Sequence, residues 1–176
     1  MRAKKFNLDR FITPNFCLLC RDAIVGSDGS LSLIRLIDEI RTKVLPVKIN
    51  QMMLVAEFTR NRETELESFE NLGLALKVEI VNPAGEAFEI GVWQPSPINR
   101  EQIWTVHRLL VNMSYELNLQ HAGNYQFNVY ARTNESDYEM VCGKVLPVFV
   151  SSKSPQLVEK RAKKTTGKKS AKKSKL

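Results

Sequence analysis

The sequence predicts an all-β fold, an antiparallel β-sandwich of about eight strands. Apolar and polar side chains alternate over residues 123–132, which is the period of a strand with one buried face and one wet face. Asp28-Gly29, between two apolar runs, has the composition of a tight hairpin turn. Further apolar runs follow and are joined mainly by short turns, a spacing typical of antiparallel sandwiches.

The first predicted strand covers residues 15–25 and follows Pro14. Its residues are apolar on both faces as far as Cys20, as in a central strand that is covered on two sides. A turn is expected over residues 26–30. Residues 31–40 are ambiguous because their apolar spacing also suits a short helix, but the hairpin turn before them favours a strand.

The middle of the chain predicts an interior strand followed by a hairpin. Residues 52–58 are largely apolar on both faces, so this strand is expected inside its sheet. A polar loop is expected over residues 61–71. Residues 72–80 then alternate cleanly, residues 82–85 have turn composition, and residues 88–92 are expected to form the returning strand.

Three strands are predicted in the last part of the domain. Residues 109–119 are expected to form one long strand, residues 123–132 the alternating strand, and residues from about 138 to 150 the last strand. Gly123 can supply the positive φ of a tight corner before the alternating strand. Tyr125 follows that corner, so Gly123 and Tyr125 are predicted to be structural corner residues.

The net charge of +7 is divided unevenly along the chain. Residues 1–13 are predicted to be a basic N-terminal arm, residues 14–150 the β-sandwich domain, and residues 151–176 a disordered basic tail. The tail holds ten Lys or Arg against one acid, a net charge of +9, whereas residues 11–150 carry −5. The composition of the tail lacks the large apolar side chains that could offset the entropy of ordering a chain.

The corner itself resembles that of immunoglobulin-like domains. The run Gly123-Asn-Tyr125-Gln-Phe127 is similar to the entry into their penultimate strand, where the Tyr hydroxyl bonds back to upstream backbone. A Cys often stands two residues after that Tyr, and here Phe127 takes its place. The sequence therefore departs from the disulfide-bonded branch, and the resemblance bears on fold and not on activity.

A broader resemblance covers residues 15–150. It is carried by Phe16-Cys-Leu-Leu-Cys-Arg-Asp22, Gly29-Ser-Leu-Ser-Leu-Ile34, Asp38 and the alternating run from Gly123 to Val129. This order is similar to a prokaryotic family of small β-sandwich proteins of unknown function. The resemblance implies a cytoplasmic bacterial or archaeal protein and transfers no catalytic residue. The basic tail lies outside it.

No catalytic, cofactor or metal site is predicted. Cys17 and Cys20 form a CxxC, but residues three apart on a strand point to opposite faces, so these two and Cys142 are expected to be buried structural thiols. The alternatives are a redox or zinc motif and a cysteine nucleophile. His107 and His121 lack a surrounding catalytic or metal-binding motif. The sequence therefore predicts a protein that is not an enzyme.

The basic tail suggests an anionic partner. The residues expected to bind nucleic acid or another polyanion are Lys160, Arg161, Lys163, Lys164, Lys168, Lys169, Lys172, Lys173 and Lys175. Because nearly all are Lys and no aromatic residue is interleaved, contact with DNA or RNA should be independent of base sequence. The prediction is a non-catalytic interaction module. The alternative is a structural or assembly protein that forms homo-oligomers, with a tail that only solubilises it.

The cytoplasm is the expected location. Three cysteines suggest no disulfide framework, and no apolar leader is visible near the N-terminus. No apolar run is long enough to span a bilayer, so a membrane partner is not expected. A protein partner and self-association are further expectations.

Overall fold

A computed structural model describes residues 12–60, 74–94, 106–113, 117–134 and 136–151. The all-β prediction is confirmed, because these ranges contain strands, turns and bends and no helix. In particular, none of these residues belongs to a helix with the length and apolarity needed to cross a membrane. The predicted polar loop at 61–71, most of the predicted arm and all nine tail residues predicted to bind polyanions lie outside the described residues.

The described residues form eleven strands, of which eight have six residues or more. In chain order the strands are β1 (Ile12–Val25), β2 (Leu31–Leu36), β3 (Ile40–Thr42), β4 (Val47–Lys48), β5 (Met53–Arg60), β6 (Ala75–Val81), β7 (Ala87–Trp93), β8 (Val106–Asn112), β9 (Asn118–Leu119), β10 (Gly123–Arg132) and β11 (Glu139–Val150). They form a four-stranded sheet, a five-stranded sheet and a small pair of β4 with β9.

The four-stranded sheet has the order β2-β1-β5-β8, and every pairing in it is antiparallel. β1 is interior, as its two apolar faces predicted. It begins at Ile12, earlier than expected, and Pro14 lies within it next to a shift of register before Phe16. The strand interpretation of residues 31–40 is confirmed over Leu31–Leu36.

The five-stranded sheet has the order β3-β11-β10-β6-β7. On β10, Tyr125, Phe127, Val129 and Ala131 are buried, and Gln126 on the opposite face is exposed, which confirms the predicted alternation. The prediction of a wholly antiparallel fold is wrong at one edge, because β3 runs parallel to β11. The chain crosses to this edge from β2 in the other sheet, and no local pattern in the sequence records that crossing.

One hydrophobic core joins the inner faces of the two sheets. Leu54, Phe58 and Val111 enter it from the four-stranded sheet, and Val78 and Phe127 enter it from the five-stranded sheet. All five are nearly or fully inaccessible to water, at 0–3% exposure. Burial of these apolar side chains is the main favourable contribution to folding.

The prediction of one long strand over residues 109–119 is wrong. β8 ends at Asn112, and β9 pairs with β4 outside both large sheets. Met113 still donates its N–H to the carbonyl of Met52 at 2.9 Å. Met113 and Leu119 are both buried, so buried apolar residues lie on both sides of the point where the chain leaves the sheet. Periodicity alone therefore could not reveal the break.

The β1–β2 hairpin returns across the outer face of the four-stranded sheet, the face that points away from the core. Arg108 lies on this face of β8, because its neighbour Leu109 enters the core. Its Nη1 donates a hydrogen bond of 2.5 Å to the carbonyl of Gly29 in the hairpin turn, and its Nε one of 2.8 Å to Oε2 of Glu57. Val55 on the same face of β5 is fully buried.

Candidate functional site

The corner before β10 forms the hydrogen bond that a tyrosine corner predicts. The hydroxyl of Tyr125 accepts a 3.0 Å bond from the backbone N–H of His121, four residues upstream. Gly123 has a φ of +126°, a conformation that other residues adopt rarely. A Cβ at this position would also lie 2.9 Å from Cβ of Pro83, so the corner packs tightly against the β6–β7 turn.

A cavity of about 270 Å³ lies beside this corner. The residues that line it are Ile80, Asn82, Phe88, Ile90, Leu117, Asn118, Gln120, His121 and Tyr125. This volume is below the range of roughly 300–1,000 Å³ that is common for small-molecule sites.

The polar residues at the cavity are Asn82, Asn118, Gln120, His121 and Tyr125. Asn82 is occupied by its own turn, since its Oδ1 accepts the N–H groups of Ala84 and Glu86 at 2.9 Å each. His121 is exposed at the rim together with Gln120. The described lining holds no carboxylate, serine or cysteine that could act with this imidazole.

A pair of thiols lies between the two sheets at another place. Cys17 on β1 and Cys142 on β11 are hydrogen-bonded to each other, and both pack against the core while remaining half-buried. The hydrogen bond from Cys142 lowers the pKa of Cys17, against the opposing effect of burial, and the positive charge of Lys144 lowers it further. The same bond, together with burial, raises the pKa of Cys142. Cys17 is therefore the thiol that ionises first.

Cys20 does not take part in this pair. It lies opposite Met53, whereas Cys17 lies opposite the core residue Ala56, so the two cysteines of the CxxC occupy opposite faces as predicted. Cys20 is fully buried, and burial followed by the charge of Asp22 raises its pKa. The prediction of buried thiols holds for Cys20, but Cys17 and Cys142 are half-buried and in contact.

The outer face of the five-stranded sheet carries an aromatic–cation patch, which we define as Lys77, Glu79, Tyr130, Arg132 and Tyr138. Lys77 Nζ lies 4.7 Å and 5.1 Å from the ring centres of Tyr130 and Tyr138, and Arg132 Cζ lies 4.8 Å from the ring of Tyr138. Glu79 binds Lys77 at 3.2 Å and the Tyr130 hydroxyl at 3.2 Å. Sequence reasoning missed the patch because its members come from separate segments that only sheet pairing brings together.

No metal centre is formed by the part of the chain that the structure describes, since no three His, Cys, Asp or Glu residues there could hold an ion together. The side chain of His107 and the cations at 160–175 lie outside the described residues. Among the sequence-predicted site residues, the structure brings together Gly123 and Tyr125 at the corner.

A family model matches residues 15–137, which is more than half of the chain, and its description is Family of unknown function (DUF6941). The chain belongs to this family. The DUF6941 match includes Cys17, the hairpin turn, Arg108 and the corner, and it ends before Cys142 and the basic tail. No curated protein matches the chain.

Proposed function

We propose that this chain is a non-catalytic interaction module whose basic tail contacts nucleic acid or another polyanion without sequence specificity. The observation that carries the proposal is the segregation of charge, with +9 in residues 151–176 and −5 in residues 11–150. Binding of Lys side chains to phosphates releases counterions and reads no base edges. Because the domain has an acidic balance, the tail is the main source of attraction for such a partner.

The aromatic–cation patch supports the same class of partner. Protein surfaces that bind single-stranded nucleic acid without sequence preference combine aromatic rings, on which bases stack, with cations that follow the phosphate backbone. Tyr130 and Tyr138 with Lys77 and Arg132 offer both elements on one sheet face. Since Glu79 neutralises part of this charge, the tail supplies the larger share of the attraction.

The proposal includes an immunoglobulin-like strand arrangement in a cytoplasmic, prokaryotic protein. The bond from His121 N–H to the Tyr125 hydroxyl supports the strand arrangement. Three free cysteines support a reducing compartment. The resemblance of residues 15–150 to a prokaryotic family supports the source.

A gel-shift titration tests the tail. The full chain, a 1–152 truncation and a full-length variant with the nine predicted tail cations changed to Gln are compared on DNA and RNA at low salt. We expect the full chain alone to shift both probes, with a slope of log K against log salt as steep as about −9 if all ten tail cations meet phosphates. Equal binding by all three proteins would contradict a role for the tail.

An assembly protein that forms homo-oligomers is the second candidate, with the tail only solubilising it. The observation that favours it is a row of exposed apolar side chains on the β1–β2 hairpin, where Ile24 and Leu36 are 54% and 53% exposed beside the edge strand β2. A concentration series in light scattering, with Leu36→Lys as the matched variant, tests it. A monomer at every concentration removes this candidate.

A further inference from the structure

The thiols of Cys17 and Cys142 come from strands at opposite ends of the chain and meet where the two sheets face each other. Cys17 is paired with Ala56 on β5, and Cys142 is paired with Val129 on β10, so each backbone is held by its own sheet. On β1 the adjacent inward position is Leu19, and on β11 the inward alternation continues to Leu146, both of them core residues. The two strands and the core between them therefore keep the sulfur atoms close to each other.

We propose that Cys17 and Cys142 are a redox modification site, at which a low-molecular-weight disulfide such as oxidised glutathione converts the thiol pair into a reversible disulfide between the two sheets. β1 and β11, which carry the two cysteines, pack against each other, and one hydrogen bond joins the two thiols. Both are half-buried, which leaves a route for a small oxidant. The modification is independent of any polyanion partner.

The chemistry proceeds by two exchanges. The Cys17 thiolate attacks one sulfur of the small disulfide, whose S–S bond breaks and releases one small thiolate, leaving a mixed disulfide on Cys17. The Cys142 thiol then loses its proton to solvent and attacks the Cys17 sulfur, which releases the second small thiolate. The protein loses two electrons and two protons, and the small disulfide gains both as two free thiols.

The surroundings assign Cys17 as the attacking thiol. Lys144 lies near it on β11, two residues from Cys142, and its ammonium group favours the thiolate. The hydrogen bond from Cys142 favours the same charge. Lys144 Nζ donates a hydrogen bond of 2.9 Å to Oδ1 of Asp38, which fixes the position of the cation.

Cys20 is an internal control that the chain itself provides. It is three residues from Cys17 but lies on the opposite face of β1, and its side chain is fully buried. A disulfide requires Cβ atoms about 3.5–4.5 Å apart that point toward one another, which opposite faces of one strand do not allow. Oxidation of the folded chain should therefore select one of the three conceivable pairs.

The experiment oxidises the reduced, full-length protein with mixtures of oxidised and reduced glutathione and follows intact mass and peptide maps. We expect a loss of two hydrogens without a retained adduct, a cross-linked peptide pair containing Cys17 and Cys142, and full reversal by dithiothreitol. The same oxidation in denaturant should give a mixture of all three pairs. Mapping of the unmodified chain requires no substitution, so a variant that fails to fold cannot obscure the result.

Single Cys→Ser variants then distinguish the thiol that attacks the small disulfide from the thiol that resolves the mixed disulfide. Cys142→Ser should stop at a stable glutathione adduct on Cys17, Cys17→Ser should lose the cross-link, and Cys20→Ser should behave as the unsubstituted chain. A folded protein that keeps three thiols through the whole series would overturn the proposal. A dominant cross-link to Cys20, or glutathione retained on the unsubstituted chain, would also overturn it.

Discussion

The outer faces of the two sheets differ, and the difference explains two kinds of sequence pattern in one domain. On the four-stranded sheet Leu18 is half-buried and its partner Val55 is fully buried, although both point away from the core. On the five-stranded sheet the outer residues Asn124 and Gln126 are exposed. A strand that is covered on both faces has a continuous apolar run, whereas a strand covered on one face alternates.

The β1–β2 hairpin is what makes the four-stranded sheet different. Its turn is bound to the outer face by Arg108, which is itself oriented by Glu57. One hairpin thus supplies the edge strand β2 and also covers part of the outer face of the same sheet. Substitutions on the two outer faces test how strongly this cover contributes to stability.

The largest expected effect is that of Val55→Asp. A carboxylate on a fully buried face without a charge partner should reduce the free energy of unfolding by at least about 3 kcal/mol. The matched control is Gln126→Asp on the exposed face of β10, which should cost less than about 1 kcal/mol. Urea denaturation followed by tryptophan fluorescence measures both. Equal losses in the free energy of unfolding would mean that the two outer faces are equally exposed to solvent.

A smaller effect is expected from Arg108→Ala. It removes the donor to the Gly29 carbonyl and leaves Glu57, whose side chain is 15% exposed, without its cation, so the loss should be about 2–3 kcal/mol. Amide hydrogen exchange should accelerate over residues 21–36. Arg132→Ala, which removes a cation from the half-buried ring of Tyr138 beside the other sheet, should cost about 0.5–1 kcal/mol. Unchanged exchange in the hairpin would show that Arg108 does not hold it.

The smallest effect compares two hydroxyl groups on the two faces of β10. Tyr125→Phe should cost about 1 kcal/mol, because the N–H of His121 loses its acceptor, which is the hydroxyl of the buried Tyr125. Tyr130→Phe should cost less, since its 3.2 Å bond to Glu79 is on the half-buried outer face where water can replace it. The shift in the urea midpoint measures the stability that each variant loses. A larger loss for Tyr130→Phe than for Tyr125→Phe would contradict the corner assignment.

Local patterns in the sequence were sufficient for much of the fold. The alternation of β10, the interior position of β1 and the turn at Asp28-Gly29 all depend on neighbouring residues, and the structure has each of them. The opposite orientation of Cys17 and Cys20 follows in the same way from strand geometry. These features are encoded within a few residues of where they occur.

The missed features are contacts between distant segments. The Cys17–Cys142 pair and the Arg108–Gly29 bond require knowledge of which strand lies opposite which, and nothing in a single sequence gives that pairing. The break between β8 and β9 was hidden because Met113 and Leu119 stay buried on both sides of it. For the same reason the sequence predicted three buried structural cysteines, whereas the fold brings Cys17 and Cys142 into contact.

The parallel pairing of β3 with β11 has a mechanical consequence. At the end of β11, Val148 is paired with Ile40 on one side and with Gly123 on the other, and Ser151 N–H still donates to the Thr42 carbonyl at 2.8 Å. Ladder hydrogen bonds run across the strands, so tension applied along β11 through the chain that follows it loads two ladders in shear. Bonds loaded in shear must break together and not one after another. Tension that reaches the domain through Ser151 is therefore resisted by both ladders at once.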